Sequence, residues 1–171
     1  DGGRGNTVLD GLLVVLFNGA DDRSYGTIDL RGQRTDGSGY FVLANAAVSE
    51  GDLMLPNARL QNGPDAVALV AGSAAEFPNG TPVSATVPVA AVVYGRADRP
   101  DEGLRPLLDA GQPQIDENGR GAGETHANQR CPNGAGGARQ TAGFRQNAPT
   151  PGATNDCVTD TPPSVVERAP G

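Results

Sequence analysis

The sequence predicts an all-β fold: an immunoglobulin-like β-sandwich over residues 1–110, with a long Gly-rich wrap over 111–158 and a Pro-rich tail or linker at 159–171. Three observations carry this. Gly, Asn and Asp clusters punctuate the first hundred residues at short intervals and leave brief apolar, β-branched stretches between them. Helical periodicity is almost absent. Of the Leu, Ile, Val and Phe residues, nearly all fall before Asp109, with only Ile115, Phe144, Val158, Val165 and Val166 after it. The front of the chain can fold by apolar burial, whereas the back needs another means.

Strands are expected at Leu12–Asn18, Tyr25–Leu30, Tyr40–Ala44, Ala66–Ala71 and Ser84–Tyr94, with a shorter one near Ala58–Gln61. Asn18-Gly19-Ala20-Asp21-Asp22 and Arg34-Thr35-Asp36-Gly37-Ser38-Gly39 supply residues tolerant of left-handed backbone for the connections. Pro88 puts a bend or an edge position into the longest strand. One helix is expected at Asp101–Ala110: Asp101 and Glu102 suit a first turn, Leu104, Leu107 and Leu108 share a face, and Gly111 with Pro113 ends it. Pro106 restricts it to one or two turns. Short strands at this spacing, without helices between them, favour an antiparallel sandwich or barrel over a parallel α/β sheet.

Gly (25) and Pro (14) make up about 23% of the 171 residues, just under the range typical of low-complexity chains. The formal net charge of −7 and the absence of any basic run argue against a nucleic-acid partner. All 13 basic residues are Arg, a bias that GC-rich coding alone produces. The longest apolar runs, such as Leu12–Phe17, fall far short of a membrane span. A chain starting at Asp1 without a Met or a signal peptide is expected to be a mature form or an excised fragment.

The two cysteines, Cys131 and Cys157, both lie in the weakly apolar wrap. A bridge between them suits an extracellular or cell-surface protein; the alternative is two free thiols in a reducing cytosol. Metal binding by the pair lacks a CxxC spacing and a fourth ligand beside His126. Catalytic candidates are few. His126 is the sole imidazole and reads as a solvated loop residue, and no serine sits in a GxSxG elbow, so no catalytic residue, cofactor or enzyme activity is expected. The acidic loops at Asp21-Asp22, Asp36, Asp98 to Glu102 and Asp116-Glu117 read as turn formers on a solvated surface; the sharper reading is Ca²⁺ binding, with Asp21 and Asp22 the first candidates. Asn79-Gly80-Thr81 has the form of a glycosylation acceptor, weakened by the Pro82 after it. The tail from Thr159 reads as a linker or as an extended strand that docks on a neighbour.

A set of segments resembles the lamin-tail domain of secreted bacterial and some eukaryotic proteins. They are Leu12–Phe17 running into Asn18-Gly19, Ser24-Tyr25, Ile28-Asp29-Leu30, Thr35-Asp36, Gly39-Tyr40-Phe41-Val42, and Leu60-Gln61-Asn62-Gly63-Pro64-Asp65 continuing through Leu69. Phe77–Val83, Val93-Tyr94-Gly95, Gln129–Gly134 and Thr150–Asp156 extend the likeness, which covers about Leu9 to Cys157. The resemblance implies an immunoglobulin-like sandwich acting as an accessory or surface module, with no catalytic residues to carry over. One departure stands out. The family begins with one or two further strands, while Asp1–Asp10 holds only Val8 and Leu9 as apolar residues.

A sandwich without its first strands leaves an open edge. A neighbouring subunit that supplied a strand there would build an extracellular assembly or filament; the alternative is that those strands were removed or lie outside this chain. The expected role is therefore a non-enzymatic extracellular structural or adhesion module. The alternative is an accessory domain of a secreted hydrolase such as a nuclease or phosphoesterase. Carbohydrate binding is disfavoured by the absence of Trp and by the few aromatic rings, most of them in or beside predicted strands.

Overall fold

The structure, a computed structural model, describes residues 4–96 and 99–157. Its centre is β1 (Leu12–Asn18), a strand apolar at every position but the last and buried on both faces. An unbroken apolar run is what a strand covered on both sides requires, since alternation would place polar groups in one of the two cores. β2 (Arg23–Asp29) pairs antiparallel with one side of β1, and β5 (Asp65–Ala71) with the other. β6 (Ala90–Gly95) continues the sheet antiparallel to β5, and β7 (Ile115–Asp116) closes it in parallel, giving the order β2-β1-β5-β6-β7.

Small pairs of strands and isolated bridges surround this sheet. β3 (Leu43–Ala44) and β4 (Leu53–Met54) are parallel. β8 (Ala127–Arg130) and β9 (Phe144–Asn147) form an antiparallel hairpin. Val8 bridges Arg34, and the bonds Asn6 N–H to Asp36 O (2.7 Å), Leu9 N–H to Gln33 O (3.0 Å) and Thr35 N–H to Thr7 O (3.0 Å) zip residues 6–9 onto 33–36. The architecture is thus all-β.

The two faces of the sheet are packed differently. On one, Leu13, Val15 and Phe17 of β1 meet Ala66, Ala68, Ala91 and Val93, and the small alanines let Leu104, Leu107, Leu108 and Val83 approach closely. On the other, Val14 and Leu16 join Leu9 and Leu30, with Ile28, Phe41, Leu43 and Leu53 packed around them. The hairpin between β1 and β2 is set by Asn18, whose Oδ1 accepts from Ala20 N–H at 2.7 Å and whose carbonyl accepts from Asp22 N–H at 2.9 Å. A bulge between Leu16 and Phe17 then shifts the register against β2.

Several expectations need correction. The helix at Asp101–Ala110 is only a 3-10 turn at Arg105–Leu107, because Pro106 supplies no backbone donor; its leucines nonetheless face the core as foreseen. The strand expected at Ser84–Tyr94 begins at Ala90, since Val83–Ala85 is another 3-10 turn and Pro88 breaks the stretch between that turn and β6. Ala58–Gln61 is not a strand: Ala58 has φ of +55°, outside the extended region. Tyr40–Ala44 shortens to β3, and β2 starts two residues earlier than expected. The wrap at 111–158 is not wholly irregular, for it carries β7, β8 and β9. The tail at 159–171 lies outside the described residues.

Candidate functional site

The wrap is where this chain departs most from an ordinary sheet protein, and its scaffold is polar. Arg139 lies against the 3-10 turn and donates to three consecutive carbonyls: Nε to Leu107 O at 2.8 Å, and Nη2 to Pro106 O and Leu108 O at 2.9 Å each. Arg130 does the same for the loop beyond it, donating to Ala135 O, Gly137 O and Gln140 O at 2.7–3.2 Å while its guanidinium stacks 4.9 Å from the Phe144 ring centre. Burial disfavours its charge and lowers its pKa. Buried and half-buried carboxamides complete the frame. Gln146 bonds Asp116 O through Nε2 and Arg120 N–H through Oε1, Asn147 bonds Asp156 O, and Gln112 Oε1 accepts from Thr141 and Ala142 N–H.

Cys131 and Cys157 form the expected disulfide, with Cα atoms 5.4 Å apart. It closes a loop worth about 3–4 kcal/mol on a chain-entropy account. A cleft of ≈ 640 Å³ opens beside it between Ser38–Val42 and wrap residues that include Arg130, Asn133, Gly134, Thr150 and Asn155. Long polar contacts span it: Asn133 Nδ2 to Tyr40 Oη, and Tyr40 Oη to Thr154 Oγ1, both 3.3 Å.

The sequence-predicted site residues are dispersed. Asp21 is exposed and turned onto its own backbone, with Oδ1 accepting from Arg23 N–H at 3.2 Å. Asp22 turns inward at φ of +56°, against Gly103, where any added Cβ would lie 2.1 Å from the carboxylate. Its Oδ1 is buried without a hydrogen-bond partner, and its pKa is raised first by that burial and then by Asp101 and Asp21. Among the described residues no group of three or more His, Cys, Asp or Glu is placed to hold a metal ion. Asn79 is exposed at the centre of a turn closed by Thr81 N–H to Pro78 O at 3.1 Å, and the Thr81 hydroxyl also donates to Pro78 O at 2.7 Å. His126 Nδ1 is buried and unpartnered, so His126 is less solvated than its loop setting predicts.

Sequence reasoning missed Asp65 and Tyr94, which are directly opposite one another on β5 and β6. Asp65 is 1% exposed, and neither its Oδ2 nor the Tyr94 hydroxyl has a hydrogen-bond partner. Burial pushes the Asp65 carboxyl up to about 6, with Gly19 N–H opposing the shift and Glu117 and Asp101 adding to it. Burial also raises Tyr94, with further contributions from Tyr25, Asp65 and Glu117. Glu117 is raised by burial first, against the pull of Arg96. Asp65 reads as a turn residue in Asn62-Gly63-Pro64-Asp65; the available signal was the period-two run Asp65, Val67, Leu69, which sets it on an apolar face.

Among the described residues no helix is long and apolar enough to cross a membrane. No protein-family model matches this chain, and no curated protein and no solved structure matches it either.

Proposed function

We propose that this chain is a non-enzymatic extracellular structural or adhesion module that associates with a neighbouring chain by β-strand addition. The observation that carries the reading is the outer edge of β2. Leu30 N–H donates to Leu12 O, so counting by two along the strand turns the backbone of Ile28 and Gly26 toward β1 and that of Thr27 and Asp29 away from it. Ser24, farther along the same edge, is already paired with Gly80 and Thr81. Among the described residues the outward N–H and C=O groups of Thr27 and Asp29 make no backbone–backbone hydrogen bond, which leaves a short template for another strand beside the Phe77 carbonyl, to which Thr27 Oγ1 donates at 2.7 Å. The Cys131–Cys157 bridge supports an oxidising compartment.

The finer assignments belong to the same reading. Apolar clusters on both faces of the main sheet and the flanking β3–β4 pair support an immunoglobulin-like sandwich. The lamin-tail resemblance of Leu9 to Cys157 supports a surface role. The zipping of residues 6–9 onto 33–36 means that a donated strand is sought on β2 rather than in place of the N-terminal segment.

Electron microscopy of the native material, beside an Asp29→Pro variant, tests the proposal. Proline there removes an outward N–H and leaves the β1 ladder intact. Regular fibres or rows from the native chain that disperse in the variant are expected. Isolated single particles from the native chain, or assemblies indifferent to Asp29→Pro, would overturn the reading.

A further inference from the structure

We propose that a second cleft, walled by β6, β7 and the end of the β8–β9 hairpin, binds a guanidinium group carried on an alkyl stem. The cleft measures ≈ 370 Å³, within the range of small-ligand pockets. Its composition selects the ligand. Leu60, Val92, Ile115 and Phe144 give it apolar walls suited to a methylene stem, and Tyr94 offers an aromatic ring to a cation, the Phe144 ring being already stacked against Arg130. Glu117 is its only charged side chain, and the carboxamide of Asn62 supplies a further acceptor oxygen, while the oxygens of Gln61 and Asn128 already accept one bond each, from Asn18 Nδ2 at 2.9 Å and Gln146 Nε2 at 3.3 Å, and keep a second lone pair.

Charge decides between this ligand and others. No cationic side chain lines the cleft. The register of β5 against β6 pairs Asp65 with Tyr94 and Val67 with Val92, so Asp65 stands on the same sheet face as the two β6 residues of the wall. Asp65 is 1% exposed and retains an oxygen with no partner, and neither it nor Glu117 forms an ion pair among the described residues. Arg96 acts on Glu117 only at longer range. An anion would be repelled here, and a neutral sugar would leave both carboxyls unopposed. A guanidinium offers a planar fork of donors that matches a carboxylate flanked by amide oxygens, while its weak hydration lowers the cost of leaving water.

The test is a titration of the isotope-labelled protein followed by NMR, using n-butylguanidinium, the peptide acetyl-Gly-Arg-Gly-amide, and the same peptide with citrulline for arginine. Saturable shifts centred on Glu117, Asn128 and Phe144 are expected with the arginine peptide, and n-butylguanidinium giving the same shifts identifies the guanidinium and stem as sufficient. Shifts from the peptide alone identify a polypeptide side chain as the source. Glu117→Gln is expected to weaken binding about tenfold or more, the scale of a lost charge-assisted hydrogen bond. Leu60→Glu, at a rim position 53% exposed and therefore tolerant of change, is expected to tighten it. Equal binding of the citrulline peptide, no binding of either cation, or indifference to both substitutions would overturn the proposal. These outcomes are independent of whether the native chain forms fibres.

Discussion

The guanidinium of Arg139 donates to the carbonyl of Leu107 at 2.8 Å, with the carbonyls on either side of Leu107 held by the same side chain. A residue of the wrap is thereby fastened to the backbone of a turn whose leucines fill the main core. Arg139 is 29% exposed and sits only 3.8 Å from Asp109, so its hydrogen bonds outweigh that ion pair. Arg139→Ala is expected to cost about 2–4 kcal/mol, because carbonyls that the guanidinium satisfies lose their partner. Arg139→Lys recovers only part of this, since an ammonium cannot reproduce the fork. Urea denaturation of the three proteins checks both statements.

Removing the disulfide should loosen the wrap and leave the sheet. The double variant Cys131→Ser, Cys157→Ser is expected to lose about 3–4 kcal/mol on the chain-entropy account. Limited proteolysis should then cut within 131–157 while far-UV circular dichroism still reports the strands. Loss of all β signal on mild reduction would show instead that the sheet depends on the bridge.

Asp65 sets the sign of a pH dependence. Its folded carboxyl titrates near 6, above the ordinary aspartate value of 3.8, so between those values the folded chain binds more protons than the unfolded one. Stability from this group is therefore fully present at low pH, falls by up to about 1.4 kcal/mol per pH unit as pH rises through that window, and is flat above it. Asp65→Asn keeps the shape and removes the charge. It is expected to be more stable than the native chain at about pH 7.5 and to flatten the contribution between about pH 4 and 6, as chemical denaturation across that range would reveal.

Gly103 and Asp22 make a coupled pair. A Cβ at position 103 would lie 2.1 Å from the Asp22 carboxylate, so Gly103→Ala is expected to destabilise by roughly 1–3 kcal/mol. Asp22→Gly removes the obstructing group, a buried unpartnered oxygen and a non-glycine residue at φ of +56°. The double variant should consequently be more stable than Gly103→Ala alone. A double-mutant cycle that came out additive would contradict the pairing.

Phe17 is fully buried between alanines and 3-10 leucines, and Phe17→Ala is expected to cost about 3–5 kcal/mol. Val87, 81% exposed, should tolerate alanine with a change within about 0.5 kcal/mol. Thermal melts of the two variants make the comparison.

The central sheet was legible because apolar burial leaves a linear signature: Leu12–Asn18 and Ala66–Ala71 are recovered almost to the residue, as is the core role of Leu104, Leu107 and Leu108. β8 and β9 were not. Ala127-Asn128-Gln129-Arg130 and Phe144-Arg145-Gln146-Asn147 have no apolar alternation, and the residues they bury are Gln129, Gln146 and Asn147, fixed by bonds to distant carbonyls. Such partners lie far apart along the chain and obey no period. Asp22 and Asp101 were likewise read as separate surface turns, since only the folded chain brings them within electrostatic reach.

The polar scaffold of the wrap has a further consequence for how this region tolerates sequence drift. Arg130 and Arg139 grip main-chain carbonyls, a group that every residue type supplies. The side chains at the gripped positions that point to water are therefore free to vary, while the two arginines are not. Substitution libraries over 135–140 should accept diverse residues at exposed Ala138, and concentrate their losses at Arg139, at Gly136 with its φ of +81°, and at Gln140, whose Oε1 accepts from Gly137 N–H at 2.9 Å. Surface chemistry on this side of the molecule could then be rewritten without disturbing the strands beneath it.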